Sequence, residues 1–260
     1  MLDARLITLT TDFGTRDGFV AQMKGVILGI NPRARLIDVT HDIEPFSVLE
    51  GAMVLKGISP HFPSGTIHVA VVDPGVGSKR RGIVLCTEEQ TYVGPDNGLF
   101  SLIMSDNGAC IVREIQNPGY MLPEPHPTFH GRDIFAPVAA YLSAGKPFEE
   151  VGPLVHDPTM LSIPTVKENA AGLEGAVIYI DRFGNLTSNI DKTMLTRIAG
   201  TVCVGNVTIQ GLSRFYGEVP EREAMALINS FGLLEIAINQ GNAAQVLGIG
   251  KDEPVRVFWT

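Results

Sequence analysis

The stretch TIHVAVVD, residues 66–73, is an apolar run that ends in an aspartate, and the turn-forming segment PGVGSKRRG (74–82) follows it directly. Its VAVV centre lacks the alternation of polar and apolar residues that a half-exposed strand shows, which is typical of a strand buried on both faces. Such strands occur in sheets covered by helices on both sides, so this segment predicts the middle of an α/β sheet.

The segments around it alternate in the same way. Before it, RLITLTT (5–11) and ARLIDVT (34–40) predict strands, and helices are predicted over 17–30 and 46–58. After it come GIVLCT and QTYVG as short strands, a helix near 98–105, the strand CIVREI (110–115), and a helix from Asp133 to about Ala144. This β-α-β-α-β order predicts an amino-terminal α/β domain with a central, mostly parallel sheet.

The pattern changes after about residue 165. Strand-like runs joined by turn signals follow, and GNAAQVLG alone predicts a short helix; the strand-like runs are GAVIYID, TVCVGNVTI, AMALINS, LLEIAIN and PVRVFW. We therefore predict a smaller, mostly antiparallel β domain at the carboxyl end. The predicted domains are 1–165 and 166–260, and the irregular, proline-rich stretch 147–165 serves as the linker.

Composition excludes several classes of protein. The chain has 260 residues, a formal net charge of −8 and one short basic run, Lys79-Arg80-Arg81, so no nucleic-acid surface is expected. No segment reaches the ~18 apolar residues of a membrane helix, and the amino terminus lacks a signal-peptide layout. The three cysteines are widely spaced and predict neither disulfides nor a zinc site. These features predict a cytoplasmic protein without membrane contacts.

Polar side chains follow three of the predicted strands. Asp12 follows the first, His41 and Asp42 the second, and Asp73 the third. In open α/β sheets, ligands bind beyond the carboxyl ends of the strands, so these residues predict a ligand crevice. The alternative for Asp12, and equally for Asp17, is that the carboxylate caps the following helix.

Familiar phosphate, nucleotide and nucleophile motifs are missing. GVGSKRRG is not a phosphate loop, no GxGxxG follows a strand, and GxSxG is absent. His126 and His130 have the spacing of a metal-ligand pair, but Pro125 and Pro127 forbid the helix that would put both rings on one face. We therefore predict no metal.

Three residues remain as candidates for chemistry: Asp73, Arg80 and His130. A carboxylate, a guanidinium and an imidazole that converge in a dry pocket can hold a water molecule and lower its pKa. The alternative is an ordinary Asp–Arg ion pair and an unrelated loop histidine. Spacing alone favours that alternative.

Seven motifs occur in order along nearly the whole chain: LTTDFG (9–14), DVTHDIEPF (38–46), VVDPGVGSKRR (71–81), GPDNGLF (94–100), PTFHGRD (127–133), DRFGNLTSNI (181–190) and NSFGLLEIAINQGNAA (229–244). Together they resemble the S-adenosyl-L-methionine (SAM) hydrolases, also called SAM hydroxide adenosyltransferases. That family is related to enzymes that fluorinate or chlorinate the same substrate.

The resemblance implies that water attacks C5′ of the ribose of SAM, giving adenosine and L-methionine. SAM would be the substrate, and no cofactor is expected. The family's Asp–Arg–His set falls on Asp73, Arg80 and His130, which would orient the water and favour hydroxide. Arg81 is the other candidate for the arginine. Whether Asp73 removes a proton or the site binds hydroxide stays open at this point.

The resemblance also assigns substrate contacts to the first domain. Asp12 would accept hydrogen bonds from the ribose hydroxyls. Phe46 and Phe129 would pack around the ribose and the sulfonium, whose positive charge an aromatic face favours. Either phenylalanine could instead be an ordinary core residue.

In the second domain, the resemblance places the methionine and adenine contacts. Asp181 would pair with the ammonium, and Ser230 would donate to the carboxylate. Asn185 and the backbone near Ala243 would bind the adenine edge, with Tyr216 stacking nearby.

Two positions at the methionine end are less settled. Glu235 is polar within an apolar strand, so it either faces solvent or binds the ammonium. Phe231 stands where relatives carry an arginine after the serine, which makes recognition of the carboxylate less certain.

Departures from the halogenating relatives favour water as the nucleophile. Those relatives carry Tyr or Leu where Asp73 stands and Tyr-Ser or Tyr-Gly where His130-Gly131 stands, and an anionic carboxylate would repel a halide in a dry pocket. A chloride-dependent halogenase and a SAM or adenosine sensor without turnover remain the alternatives. The resemblance further implies a homotrimer with each site between subunits.

Overall fold

The computed structural model describes residues 6–260, which form two compact units that divide after Leu161. The predicted division after residue 165 stays a prediction. The first residue of the first predicted strand, Arg5, lies outside the described residues. Among the helices of residues 6–260, none combines the length and the apolar character needed to cross a membrane.

The first unit contains a six-stranded sheet with helices. Its elements are β1 (Leu6–Thr11), α1 (Phe19–Ile30), β2 (Arg35–Thr40), α2 (Val48–Ile58), β3 (Ile67–Val71), β4 (Gly82–Cys86), β5 (Thr91–Pro95), α3 (Ser101–Asn107), β6 (Ile111–Glu114) and α4 (Ala136–Ser143). The strand order is β2-β1-β3-β5-β4-β6, and β4 alone of these six runs against its neighbours. The predicted α/β domain with a mostly parallel sheet is confirmed.

Strand β3 lies in the interior of this sheet and is buried along its whole length. Successive side chains of a strand point to opposite faces. Accordingly, Val69 and Val71 belong to a core packed by α1 and α4, whereas Ala70 and Val72 belong to a second core packed by α2 and α3. The VAVV run (69–72) therefore reflects burial on both faces of the sheet.

The helix predicted from Asp133 is interrupted at its start. Residues Gly131–Phe135 form a π-helical turn, and the regular α-helix α4 begins at Ala136. Pro137 has no N–H to donate to the Asp133 carbonyl, as an α-helix would require. That carbonyl instead accepts from Leu122 N at 2.9 Å, which ties the turn to the segment before it.

The second unit is an antiparallel sheet with one short helix. Its elements are β7 (Lys167–Asn169), β8 (Gly172–Ile180), β9 (Leu186–Asp191), β10 (Ala199–Val204), β11 (Val207–Gln210), β12 (Ala224–Ile228), β13 (Leu233–Ile238), α5 (Ala243–Leu247) and β14 (Pro254–Trp259). The order is β11-β10-β14-β8-β9-β13-β12, with β7 on β8, and the sheet forms a near barrel. The predicted β-rich domain is confirmed.

Strand β9 was not predicted, because its sequence LTSNID reads as a polar continuation of the preceding turn. Two of its polar side chains, Thr187 and Ser188, are nevertheless buried. Ser188 donates to the Leu234 carbonyl at 2.9 Å, and Thr187 Oγ1 lies 3.2 Å from Asn229 Nδ2. Satisfied hydrogen bonds let these side chains occupy positions that the pattern reserves for apolar residues.

Candidate active site

The crevice of the first unit opens between β1 and β3. The connection through α1 leads from β1 outward to β2, and the connection through α2 returns across β1 to β3. The strand order reverses at this point, which is where ligands bind in open α/β sheets. Asp12 follows β1 directly, and Asp73 follows β3 by two residues.

The structure brings Asp73, Arg80 and His130 into direct contact. Arg80 donates from Nε to Asp73 Oδ1 at 2.9 Å and from Nη2 to Oδ2. The same Nη2 lies 2.7 Å from Nδ1 of His130. The side chains of Arg80 and Asp73 are only 10% and 4% exposed, and the guanidinium also lies 5.3 Å from the Phe135 ring centre. The alternative of an unrelated loop histidine is wrong.

The contact with Arg80 determines how His130 is protonated. A guanidinium can only donate, so Nδ1 must accept, and the neutral ring then carries its proton on Nε2. Burial, and after it the charge of Arg80, lowers the pKa of His130 below its ordinary value. The ring is thus held neutral, with one N–H on the edge opposite Arg80.

Arg81, the other candidate, is engaged elsewhere. Its Nε donates to Asp96 at 2.7 Å, and its two terminal nitrogens donate to the side chain and carbonyl of Asp157, each at 2.7 Å. Adjacent residues in an extended chain point in opposite directions. Arg80 therefore contacts Asp73, while Arg81 anchors the segment around Asp157.

The loop that returns Arg80 to Asp73 depends on Gly77. Its φ is +77°, a conformation that residues with a side chain rarely adopt. A Cβ placed there would also lie 2.5 Å from the carbonyl oxygen of Pro127. Glycine thus allows the loop bearing Arg80 to pack against the loop that leads to His130.

The carboxylate of Asp12 accepts a hydrogen bond from the backbone of Phe46 and does not cap helix α1. Its Oδ2 accepts from Phe46 N at 2.9 Å. Helix α1 begins after Gly18 without a side-chain cap, so the capping alternative is wrong for Asp12 and for Asp17. Phe46 has a φ of +70° and is 71% exposed, so it is not a core residue. A non-glycine residue in this strained conformation is typical of functional sites.

His41 and Asp42, predicted to face the crevice, do not line it. His41 is buried: Nδ1 lies 2.9 Å from Thr11 Oγ1, Nε2 lies 3.1 Å from Asp38, and its carbonyl accepts from Gly14 N at 2.7 Å. His41 thus contacts Thr11 before Asp12 and Gly14 after it. Asp42 is exposed. His41 therefore supports the loop that carries Asp12.

These groups surround a cavity of about 690 Å³. The predicted residues that line it are Asp12, Phe46, Asp73, Phe129 and His130. Two further aromatic side chains, Phe13 and Phe19, were not predicted; their ring centres lie 5.9 and 5.4 Å from that of Phe129. The LTTDFG motif contains Phe13, so its aromatic character was an available signal. The cavity combines an aromatic wall with two carboxylates.

The second unit contains the remaining predicted residues. Asp181 follows β8 and orders a tight turn: Oδ1 accepts from Phe183 N and Asn185 N, both at 2.9 Å, and Oδ2 accepts from Asn185 Nδ2 at 2.9 Å. The turn lines a cavity of about 680 Å³ together with Tyr216. Ala243 does not line it, although the preceding residue, Asn242, does.

A smaller cavity, of about 430 Å³, lies beside Glu235 and Ser230. Glu235 is 4% exposed, so the solvent-facing alternative is wrong. It accepts from the Tyr216 hydroxyl at 2.9 Å and from Asn229 at 3.2 Å. Burial raises the pKa of Glu235, and burial together with the Glu235 carboxylate raises that of Tyr216 to about 12. Asp181 and Tyr216 line both this cavity and the one of about 680 Å³.

Two domain models of one protein family match the chain. The SAM hydroxide adenosyltransferase N-terminal domain matches residues 7–152, and the C-terminal domain of the same family matches residues 175–256. The chain belongs to the SAM hydroxide adenosyltransferase family. It is therefore a member of a SAM-utilising enzyme family, and the resemblance inferred from the seven motifs is confirmed.

Individual relatives agree with the family assignment. The (R)-S-adenosyl-L-methionine hydrolase of Salinispora tropica is 38% identical over 96% of this chain and 97% of its own. A fluorinase of Actinoplanes is 30% identical over 74% of each chain. The crystal structure of an uncharacterized conserved protein from Thermotoga maritima superposes with a TM-score of 0.90, at 36% identity, over 97% of this chain and 99% of that one.

Proposed function

We propose that this member of the family hydrolyses SAM to adenosine and L-methionine by in-line attack of water at C5′ of the ribose. The observation that carries the proposal is the contact of Asp73, Arg80 and His130 at the wall of the aromatic cavity. Hydrolase relatives over nearly the whole chain support the same reaction. No cofactor is needed, since SAM is the substrate.

The groups at this wall suit a water molecule. Asp73 Oδ1 accepts one arginine N–H and keeps a lone pair for a water proton, while His130 Nε2–H is able to donate to the water oxygen. In the proposed step an O–C5′ bond forms and the C5′–S bond breaks, with its electron pair passing to sulfur. One proton is released, and we propose that Asp73 accepts it. The neutral thioether leaves without a general acid.

The other groups of the cavities are proposed to hold the substrate. Asp12 keeps Oδ1 for the ribose hydroxyls while Phe46 N occupies Oδ2. The aromatic wall formed by Phe46 and Phe129 favours the sulfonium charge. In the second unit, the cavity at Asn185 and Tyr216 is proposed to bind adenine, with the backbone near Ala243 at its edge.

Labelled water tests the proposal directly. Purified protein is incubated with SAM and chloride in isotopically labelled water, and the products are separated and weighed by mass spectrometry. We expect adenosine that carries the label on its 5′ oxygen, and unlabelled methionine. A chlorinated nucleoside would instead identify a halogenase. We do not expect this product, because the Asp73 carboxylate would repel a chloride ion in the cavity. Intact SAM bound to the protein would identify a sensor.

The lowered pKa of His130 predicts the pH dependence. His130 accepts from Arg80 only while it is neutral, so protonation breaks the contact. Because its pKa is lowered from 6.5, kcat/KM should stay level as pH falls through that value and decline only at lower pH. The unfolded chain takes up the proton first, so the free energy of unfolding should decrease below pH 6.5. A kcat/KM decline centred above that pH would contradict the assignment.

A homotrimer is part of the proposal, with each site drawing its residues from two subunits. The residues assigned to SAM are divided between the two units of the chain, and the family resemblance implies this assembly. A mass in solution, measured by light scattering, that differs from three chains would exclude it.

A further inference from the structure

The cavity of about 430 Å³ in the second unit is lined by charged groups of both signs. The acidic groups are Asp181 and Glu235, and the hydroxyl groups include Ser230. Arg214 is the one cation among its lining residues. The family resemblance gives no role to Arg214, and none of the seven motifs contains this residue.

Arg214 is oriented by Glu218, four residues along the chain. Its Nε donates to Glu218 Oε1 at 2.6 Å, and its backbone N donates to Oε2 at 2.7 Å. Neither terminal nitrogen, Nη1 or Nη2, has an acceptor among residues 6–260. The side chain is 83% exposed at the rim. Its free edge is therefore available to a planar anion, which guanidinium binds through two parallel hydrogen bonds.

The opposite charge lies in the interior of the same cavity. Glu235 is buried in β13, and its two oxygens accept from Tyr216 and Asn229. These neutral donors orient the carboxylate but do not compensate its charge. A positively charged group of a ligand would do so. The cavity thus presents a buried acid and an exposed guanidinium to one ligand.

We propose that Arg214 binds the α-carboxylate of the methionine moiety, while the ammonium of that moiety faces Glu235. The inference rests on the hydrolase proposal for the identity of the ligand. In an α-amino acid the ammonium and the carboxylate are attached to the same carbon. This arrangement matches a small cavity lined by side chains of both charges. Arg214 is then a specificity-determining residue, since it distinguishes SAM from analogues that lack the carboxylate.

The test compares two substrates: SAM and decarboxylated SAM, in which hydrogen replaces the carboxylate. Arg214→Leu should lower kcat/KM for SAM by roughly 10- to 100-fold, the effect of losing a charged hydrogen bond, and leave kcat/KM for decarboxylated SAM unchanged. Arg256→Leu is the matched control, because Arg256 also donates from Nε to a glutamate, Glu174, at 2.7 Å. It should leave both substrates unaffected.

An equal loss on both substrates, or no loss on SAM, would overturn the assignment of Arg214. Activity on decarboxylated SAM also reports whether the variant is folded. If the wild-type protein releases no adenosine from SAM, the hydrolase proposal fails by itself. The same comparison of two ligands and three proteins, made by binding calorimetry, then still decides whether Arg214 recognises the carboxylate.

Discussion

Asp73→Asn should lower kcat for adenosine release by about 10²- to 10⁴-fold, the range for loss of a positioned proton acceptor, with little change in KM. Asparagine keeps the size of the side chain but replaces one acceptor oxygen by a donor that faces the donating Arg80. The water would then lose the anion that accepts its proton. Initial rates of adenosine formation, measured by chromatography across SAM concentrations, test this.

Asp96→Asn is the control for the structural cost of that change. Asp96 is as buried as Asp73 and pairs with Arg81 as Asp73 pairs with Arg80, but it does not line the cavity. Both variants should lose stability in urea denaturation. Only Asp73→Asn should lose activity at temperatures where both are folded. If Asp73→Asn retains most of its kcat, Asp73 is not the proton acceptor.

Arg80→Gln should lower activity and Arg81→Gln should not, although the two residues are adjacent. Arg80→Gln removes the guanidinium from Asp73 and the donor from His130, so kcat should fall by about 10²-fold or more. Arg81→Gln breaks the contacts to Asp96 and Asp157, so stability should decrease while kcat stays within about threefold.

The pKa of His130 can also be compared in the Arg80→Gln and Arg81→Gln variants. Arg80→Gln removes a positive charge that lowers the pKa of His130, so the pKa should rise towards its ordinary value. Arg81→Gln should leave it unchanged. The His130 imidazole signals, followed by NMR from pH 4 to 8, measure both. Loss of activity with Arg81→Gln alone would instead assign the catalytic role to Arg81.

Much of the fold follows from local patterns. Strand β3 is apolar apart from His68 because both of its faces are covered, and the alternation of strands and helices before it determines the parallel arrangement. The start of α4 was less predictable, since the effect of Pro137 depends on whether the Asp133 carbonyl finds another donor. It finds Leu122, from a different segment of the chain.

The candidate site was predictable in part. The positions of Asp12 and Asp73 follow from the rule that ligands bind at strand ends. His41 has the same position relative to its strand, yet its ring is buried between Thr11 and Asp38. Position along a strand does not reveal whether a side chain faces the crevice or a neighbouring loop.

The sequence by itself determined the two kinds of sheet, the family, and the residues from which a site could be built. Each of these depends on periodicity, or on motifs that are local in the chain. Only the tertiary structure decided that Arg80 contacts Asp73 and His130 while Arg81 contacts Asp96, and that Arg214 shares a cavity with Glu235. Such contacts join residues from 7 to 50 positions apart in the chain, and their partners depend on how loops turn and pack, which no local pattern encodes.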